Sequence, residues 1–115
     1  MVIVTNRIKT KLGFAEKMAP NFVRPSSLQQ FEGFIKVEVT VTQNLTDYDE
    51  LNVNMYWESL EDFAVWRNSD SFKASHKRPE PGSEEEKQAK ENSPILGNEI
   101  VIQNIVASTE AIPAN

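Results

Sequence analysis

Four stretches of this chain carry strand patterns, and stretches of helical spacing lie between the first and second and between the third and fourth. In residues 2–9, Val2, Val4, Asn6 and Ile8 share one face, and Ile3, Thr5, Arg7 and Lys9 the other. Gly13 then leads into Phe14, Met18 and Phe22, spaced i, i+4, i+8 as on one side of a helix. Pro20 falls inside that run and predicts a kink or split near Ala19, because its ring collides with the preceding turn. Pro25, Ser26 and Ser27 close the stretch. Residues 34–42 form the clearest strand, with Ile35, Val37, Val39 and Val41 predicted inward and Lys36, Glu38, Thr40 and Thr42 outward. A turn over Asn44–Asp49 precedes a second alternating face of Leu51, Val53, Met55 and Trp57.

Ser59 reads as a helix N-cap with Asp62 at the third helical position, and Leu60, Phe63, Ala64 and Arg67 follow at helical spacing. The cluster Asn68-Ser69-Asp70 predicts an interruption, after which Phe72 and His76 lie one turn apart. Residues 77–98 are polar and include Pro79, Pro81, Gly82 and Pro94. They read as a lid holding a short exposed helix capped by Ser83 and Glu86. Residues 99–107 are the last strand and are apolar on both faces, with Ile100, Ile102 and Val106 on one and Val101, Ile105 and Ala107 on the other. Residues 109–115 form a loose tail.

The order β-α-β-β-α-β is the ferredoxin-like arrangement, an α+β fold, and 115 residues suit one such domain over residues 1–108. Two helices cover one side of its antiparallel sheet. The apolar second side of the last strand asks for another cover, and a second copy supplies it as a homodimer with facing sheets, a dimeric α+β barrel. The chain has no cysteine, which excludes thiolate zinc sites, iron–sulfur clusters and cysteine nucleophiles. A net charge of −5, with bases scattered among acids, argues against nucleic acid as partner. No apolar stretch approaches the ~20 residues of a membrane span, and the N-terminus alternates rather than forming a leader, so a cytoplasmic protein is expected.

Three positions depart from what packing alone selects. Asn6 interrupts an inward apolar face, and a buried amide without partners costs on the order of 1–3 kcal/mol, so it must meet neighbouring backbone, a polar partner or a ligand. Trp66 ends the first helical piece just before the break, where burial in the core is the ordinary reading. His76 is the sole histidine, and one histidine cannot build a zinc site, which takes three or four protein ligands. It can serve as a general base, as one axial ligand of a haem iron, or simply as a satisfied core or surface residue. With four glycines, no Gly-rich phosphate loop can be assembled, and no G-x-S-x-G turn occurs. The acid pairs Asp47/Asp49 and Glu84–Glu86 sit in a turn and on the lid, where solvation is the expected role.

Several segments combine into a recurring pattern. They are Ile3-Val4-Thr5-Asn6, Phe31-Glu32-Gly33-Phe34, Asp47-Tyr48-Asp49-Glu50, Trp57-Glu58-Ser59, Phe63-x-x-Trp66, Ser69-Asp70-Ser71-Phe72-Lys73-Ala74-Ser75-His76 and Gly97-Asn98-Glu99-Ile100. The pattern resembles the IsdG-type haem-degrading monooxygenases, within the wider antibiotic-biosynthesis-monooxygenase superfamily of dimeric α+β barrels, from about residue 2 to residue 106. The resemblance implies that His76 is the axial haem ligand, Asn6 the amide on the opposite, oxygen-bearing side, and Trp66 the indole that presses the porphyrin out of plane. Haem would then be both cofactor and substrate, used with O2 and an external electron donor, and an unidentified reductase would be a partner. Ten residues of unbroken helix rise ~15 Å, so the interruption at Asn68–Asp70 is needed to bring Trp66 near a macrocycle held at His76. Lys77 or Arg78 on the lid would pair with the haem propionates. The chain departs from the family pattern at Pro20 and in its longer, more charged lid.

The implied activity is oxidative cleavage of haem to a linear tetrapyrrole with release of iron. Two alternatives remain open on the sequence. A non-catalytic haem-storage protein needs His76 but neither Asn6 nor Trp66, and a cofactor-free quinol-type monooxygenase uses His76 as a base and shows no haem absorption.

Overall fold

The computed structural model describes residues 1–75 and 93–112. Its strands are β1 (Val2–Thr10), β2 (Phe34–Val41), β3 (Asp49–Trp57) and β4 (Ile95–Asn104), and its helices α1 (Ala15–Met18), α2 (Leu60–Arg67) and α3 (Asp70–Ser75). They follow the expected order, and the strands form one antiparallel sheet in the order β2-β3-β1-β4. This is the ferredoxin-like α+β arrangement.

Pro20 divides the first helical stretch at Ala19, as expected: α1 passes into a 3-10 turn over Ala19–Phe22. A second 3-10 turn, Ser27–Gln30, was not expected and is nucleated by Ser26, whose hydroxyl accepts from the Leu28 amide while the Gln29 side chain returns to the Ser26 amide. The Asp49 carboxylate, expected to be solvated, accepts hydrogen bonds from the Gly13 and Ala15 amides at 2.9 and 3.3 Å and so anchors the start of α1 to the start of β3.

Two further expectations are corrected. Ile35 is not inward: two residues of β2 oppose one of β3 between Phe34 and Lys36, and this bulge leaves Ile35 44% exposed while Phe34 takes the inward place against Trp57. The last strand begins at Ile95, four residues earlier than its alternation suggested, and ends at Asn104. Val106, expected within it, is exposed beyond its end. Residues 77–92 of the expected lid, including Ser83 and Glu86, lie outside the described residues.

The inward sheet face carries two separate apolar clusters. Val2, Val4, Trp57 and Trp66 form one, backed by Phe31, Phe34, Phe63 and Phe72. Ile8, Ala15, Leu51 and Val53 form the other, backed by Met18, Phe22 and the valines of β2. Asn6 stands on β1 between the residues of the two clusters. The core is therefore parted at the position where β1 carries an amide on its inward face.

Candidate functional site

A cavity of about 780 Å³ opens in that parting. Its floor is the sheet, with Val4 and Asn6 from β1, Val53 and Met55 from β3, and Asn98 and Ile100 from β4. One wall is aromatic. Phe63 and Trp66 of α2 and Phe72 of α3 line it, with Trp66 ring centroids 6.0 Å from Phe63 and 4.8 Å from Phe72, the latter edge-to-face. The opposite wall comes from Phe22 and the segment that follows it, through Leu28.

The break between α2 and α3 makes that aromatic wall. The Ser69 hydroxyl donates to the Trp66 carbonyl at 2.6 Å and accepts from the Phe72 amide at 3.2 Å. One side chain thus closes α2 and opens α3, satisfying an orphan carbonyl and an orphan amide together. Ser71 and Ser27, both of which line the cavity, are joined by a hydroxyl pair at 2.8 Å.

Asn6 and Trp66, the two expected site residues within the described part, both face this cavity. Trp66 is also 8% exposed and part of the apolar cluster, which is its ordinary reading as a core residue. His76, expected to be the axial ligand, and Lys77 and Arg78 lie outside the described residues, directly after α3. Asn98 was quoted in the resemblance without a role. In the fold its amide donates to Asn6 Oδ1 at 3.2 Å. Arg24 and Arg67 also line the cavity and were not singled out. Their signal in the sequence was absent, because scattered basic residues gain meaning only when folding gathers them.

The charge of the cavity runs against that of the chain. The molecule carries −5, yet the charged residues among the described lining are the two arginines. Arg67 is held with its guanidinium 4.4 Å from the Phe72 ring centre. A large apolar slot with an aromatic wall, two amides on its floor and cationic groups beside it fits a flat, hydrophobic, anionic molecule. Among the described residues no group of three potential metal-ligating side chains occurs.

Residues 1–78 match the family model described as antibiotic biosynthesis monooxygenase. The chain is 44% identical over 107 residues to a Staphylococcus saprophyticus protein named heme oxygenase (staphylobilin-producing), covering 93% of this chain and 97% of that one. It is 37% identical over 108 residues to a protein of the same name from Staphylococcus haemolyticus, covering 94% and 98%. In fold it is similar to the heme-degrader MhuD of Mycobacterium tuberculosis, solved with two hemes in its active site, with TM-score 0.66, 18% identity, and coverage of 96% and 100%. The chain belongs to the antibiotic biosynthesis monooxygenase family, within the IsdG-type branch that its motifs resemble.

Proposed function

We propose that this protein binds haem in the cavity between sheet and helices and cleaves it oxidatively to a linear tetrapyrrole, releasing iron. The observation that carries the reading is the cavity itself, apolar and aromatic, floored by Asn6, walled by Trp66 and lined by Arg24 and Arg67, in a chain closely related to staphylobilin-producing heme oxygenases. Arg24 and Arg67 are the described cations that can pair with propionates. Bound haem supplies the iron at which O2 is activated and the carbon framework that is oxidised, with electrons from an external donor.

The protein's share is placement. His76, which follows α3 in the sequence, would hold the haem iron through its imidazole. Asn6 would offer an amide N–H in the cavity that it lines, a donor suited to negative charge on a bound electron-rich atom. Trp66, fixed by three aromatic neighbours, would pack its indole against the flat ligand and constrain its shape. A homodimer with facing sheets and an electron-donating reductase complete the proposal.

Hemin added to the purified protein, followed in the Soret region with ascorbate in air and catalase present, tests it. The expected result is a Soret band that decays with stoichiometric iron release. A stable band would identify a haem-binding protein without turnover, and no band would remove haem altogether.

A further inference from the structure

The polar floor of the cavity is a pair, not a single residue. Asn98 on β4 stands opposite Ile8, and Asn6 stands opposite Ile100, so the two amides are diagonal neighbours on one sheet face. Asn98 Nδ2 donates to Asn6 Oδ1 at 3.2 Å, and among the described residues this is the hydrogen bond that the Asn6 side chain makes. A primary amide has one carbonyl acceptor and two N–H donors on a single planar head. With its carbonyl engaged by Asn98, Asn6 has its N–H2 left to offer to the cavity that it lines. The reverse orientation would present a carbonyl there, which repels an electron-rich atom.

We propose that Asn98 is a positioning residue that fixes the donor polarity of Asn6 and thereby commits this point of the cavity to ligands carrying an acceptor atom. The inference rests on the haem-cleaving reading and deepens it, placing the control of the distal donor on another strand. The β1–β4 register makes it possible, since a shift of one residue would send Asn98 to the outer face.

The test is Asn98→Asp, close in shape but accepting only when ionised, with Asn98→Ala and Asn6→Ala for comparison. In the ligand-free protein at pH 8, the Asn6 side-chain amide resonances should move downfield in Asn98→Asp, because Nδ2 now donates to a carboxylate. They should return towards wild type as acid protonates Asp and restores a donor. Turnover of hemin by Asn98→Asp, taken as a ratio to wild type at each pH, should be about tenfold to a hundredfold low at pH 8 and recover on acidification, with hemin affinity within about twofold. Asn98→Ala should fall between the two, and Asn6→Ala/Asn98→Asp should be no slower than Asn6→Ala. Unmoved Asn6 resonances, a loss independent of pH, or additive losses in the double variant would overturn the proposal. If wild-type protein itself leaves hemin intact, the haem reading fails while the resonance measurement still decides whether Asn98 orients Asn6.

Discussion

Asn6 and Trp66 share a cavity but differ in what their removal should cost. Asn6 is half-buried, bonded through its carbonyl, and packs little apolar surface, so Asn6→Ala should leave the fold and hemin binding intact. Loss of one well-placed donor typically lowers turnover ~10²–10³-fold, and single-turnover decay of the Soret band measures it directly. Trp66 is nearly buried against Trp57, Phe63 and Phe72. Trp66→Ala should cost roughly 3–5 kcal/mol of stability by urea unfolding, which would confuse any kinetic result. Trp66→Phe keeps the aromatic wall with a smaller ring, and should slow cleavage while holding most of that stability. Equal turnover in Trp66→Phe and wild type would remove the indole from the mechanism.

At the scale of elements, Ser69 is the hinge on which the aromatic wall depends. Ser69→Ala should cost about 0.5–2 kcal/mol, as lost helix caps do, and should loosen Phe72 against Trp66. Tryptophan fluorescence and urea midpoints would show both effects. The break itself was legible in Asn68-Ser69-Asp70, as were the split at Pro20 and the Ser59 cap, since each depends on chemistry within four residues. The bulge at Ile35, the early start of β4 and the Asn6–Asn98 pair were not, because register between strands distant in sequence decides them. Asp49 belongs with these, its partners lying 34 and 36 residues away. The sequence therefore pointed to Asn6 and Trp66 as anomalies, whereas Asn98, Arg24 and Arg67 became visible only when the sheet was assembled.

The same contrast sets a pH dependence on β2 and β3. The Lys36 ammonium, 3.2 Å away, holds the Glu38 carboxyl below its ordinary range, and the Tyr56 hydroxyl adds a hydrogen bond at 3.1 Å. A carboxyl lowered by folding contributes stability above its unfolded pKa and loses it as pH falls through the folded value. The contribution is thus complete at neutral pH, disappears on acidification below the usual carboxylate range, and is small because the pair is exposed. Burial, then the bond to Glu38, raises the Tyr56 phenol, whose contribution is instead lost in alkali. Lys36→Met should raise the Glu38 titration midpoint seen by carboxyl-carbon NMR. An unmoved midpoint would show that the ion pair does not persist in solution.

For the whole molecule, the two sheet faces divide the labour. One is parted into clusters around the cavity. The other carries a self-satisfied polar ladder, in which Thr5 bonds to Asn54 at 2.8 Å and Asn54 to Thr40 at 3.3 Å, flanked by half-buried Ile3 and Val101. Polar groups already paired within the sheet can enter an interface without a desolvation penalty for unmade bonds, and the aliphatic residues beside them supply area. A stable interface needs ~800 Å² from each partner, which a face of four strands can provide. The proposed homodimer should therefore sediment as two copies of the 13.0 kDa chain. Val101, on the edge strand β4, pairs with Thr5 on that face, so Val101→Lys should set a charge into the interface of the dimer and raise the monomer fraction. The helical face is untouched by that substitution, and hemin should still bind the monomer. A wild-type mass of one chain, or a Val101→Lys dimer as tight as wild type, would show that the sheets do not meet through this face.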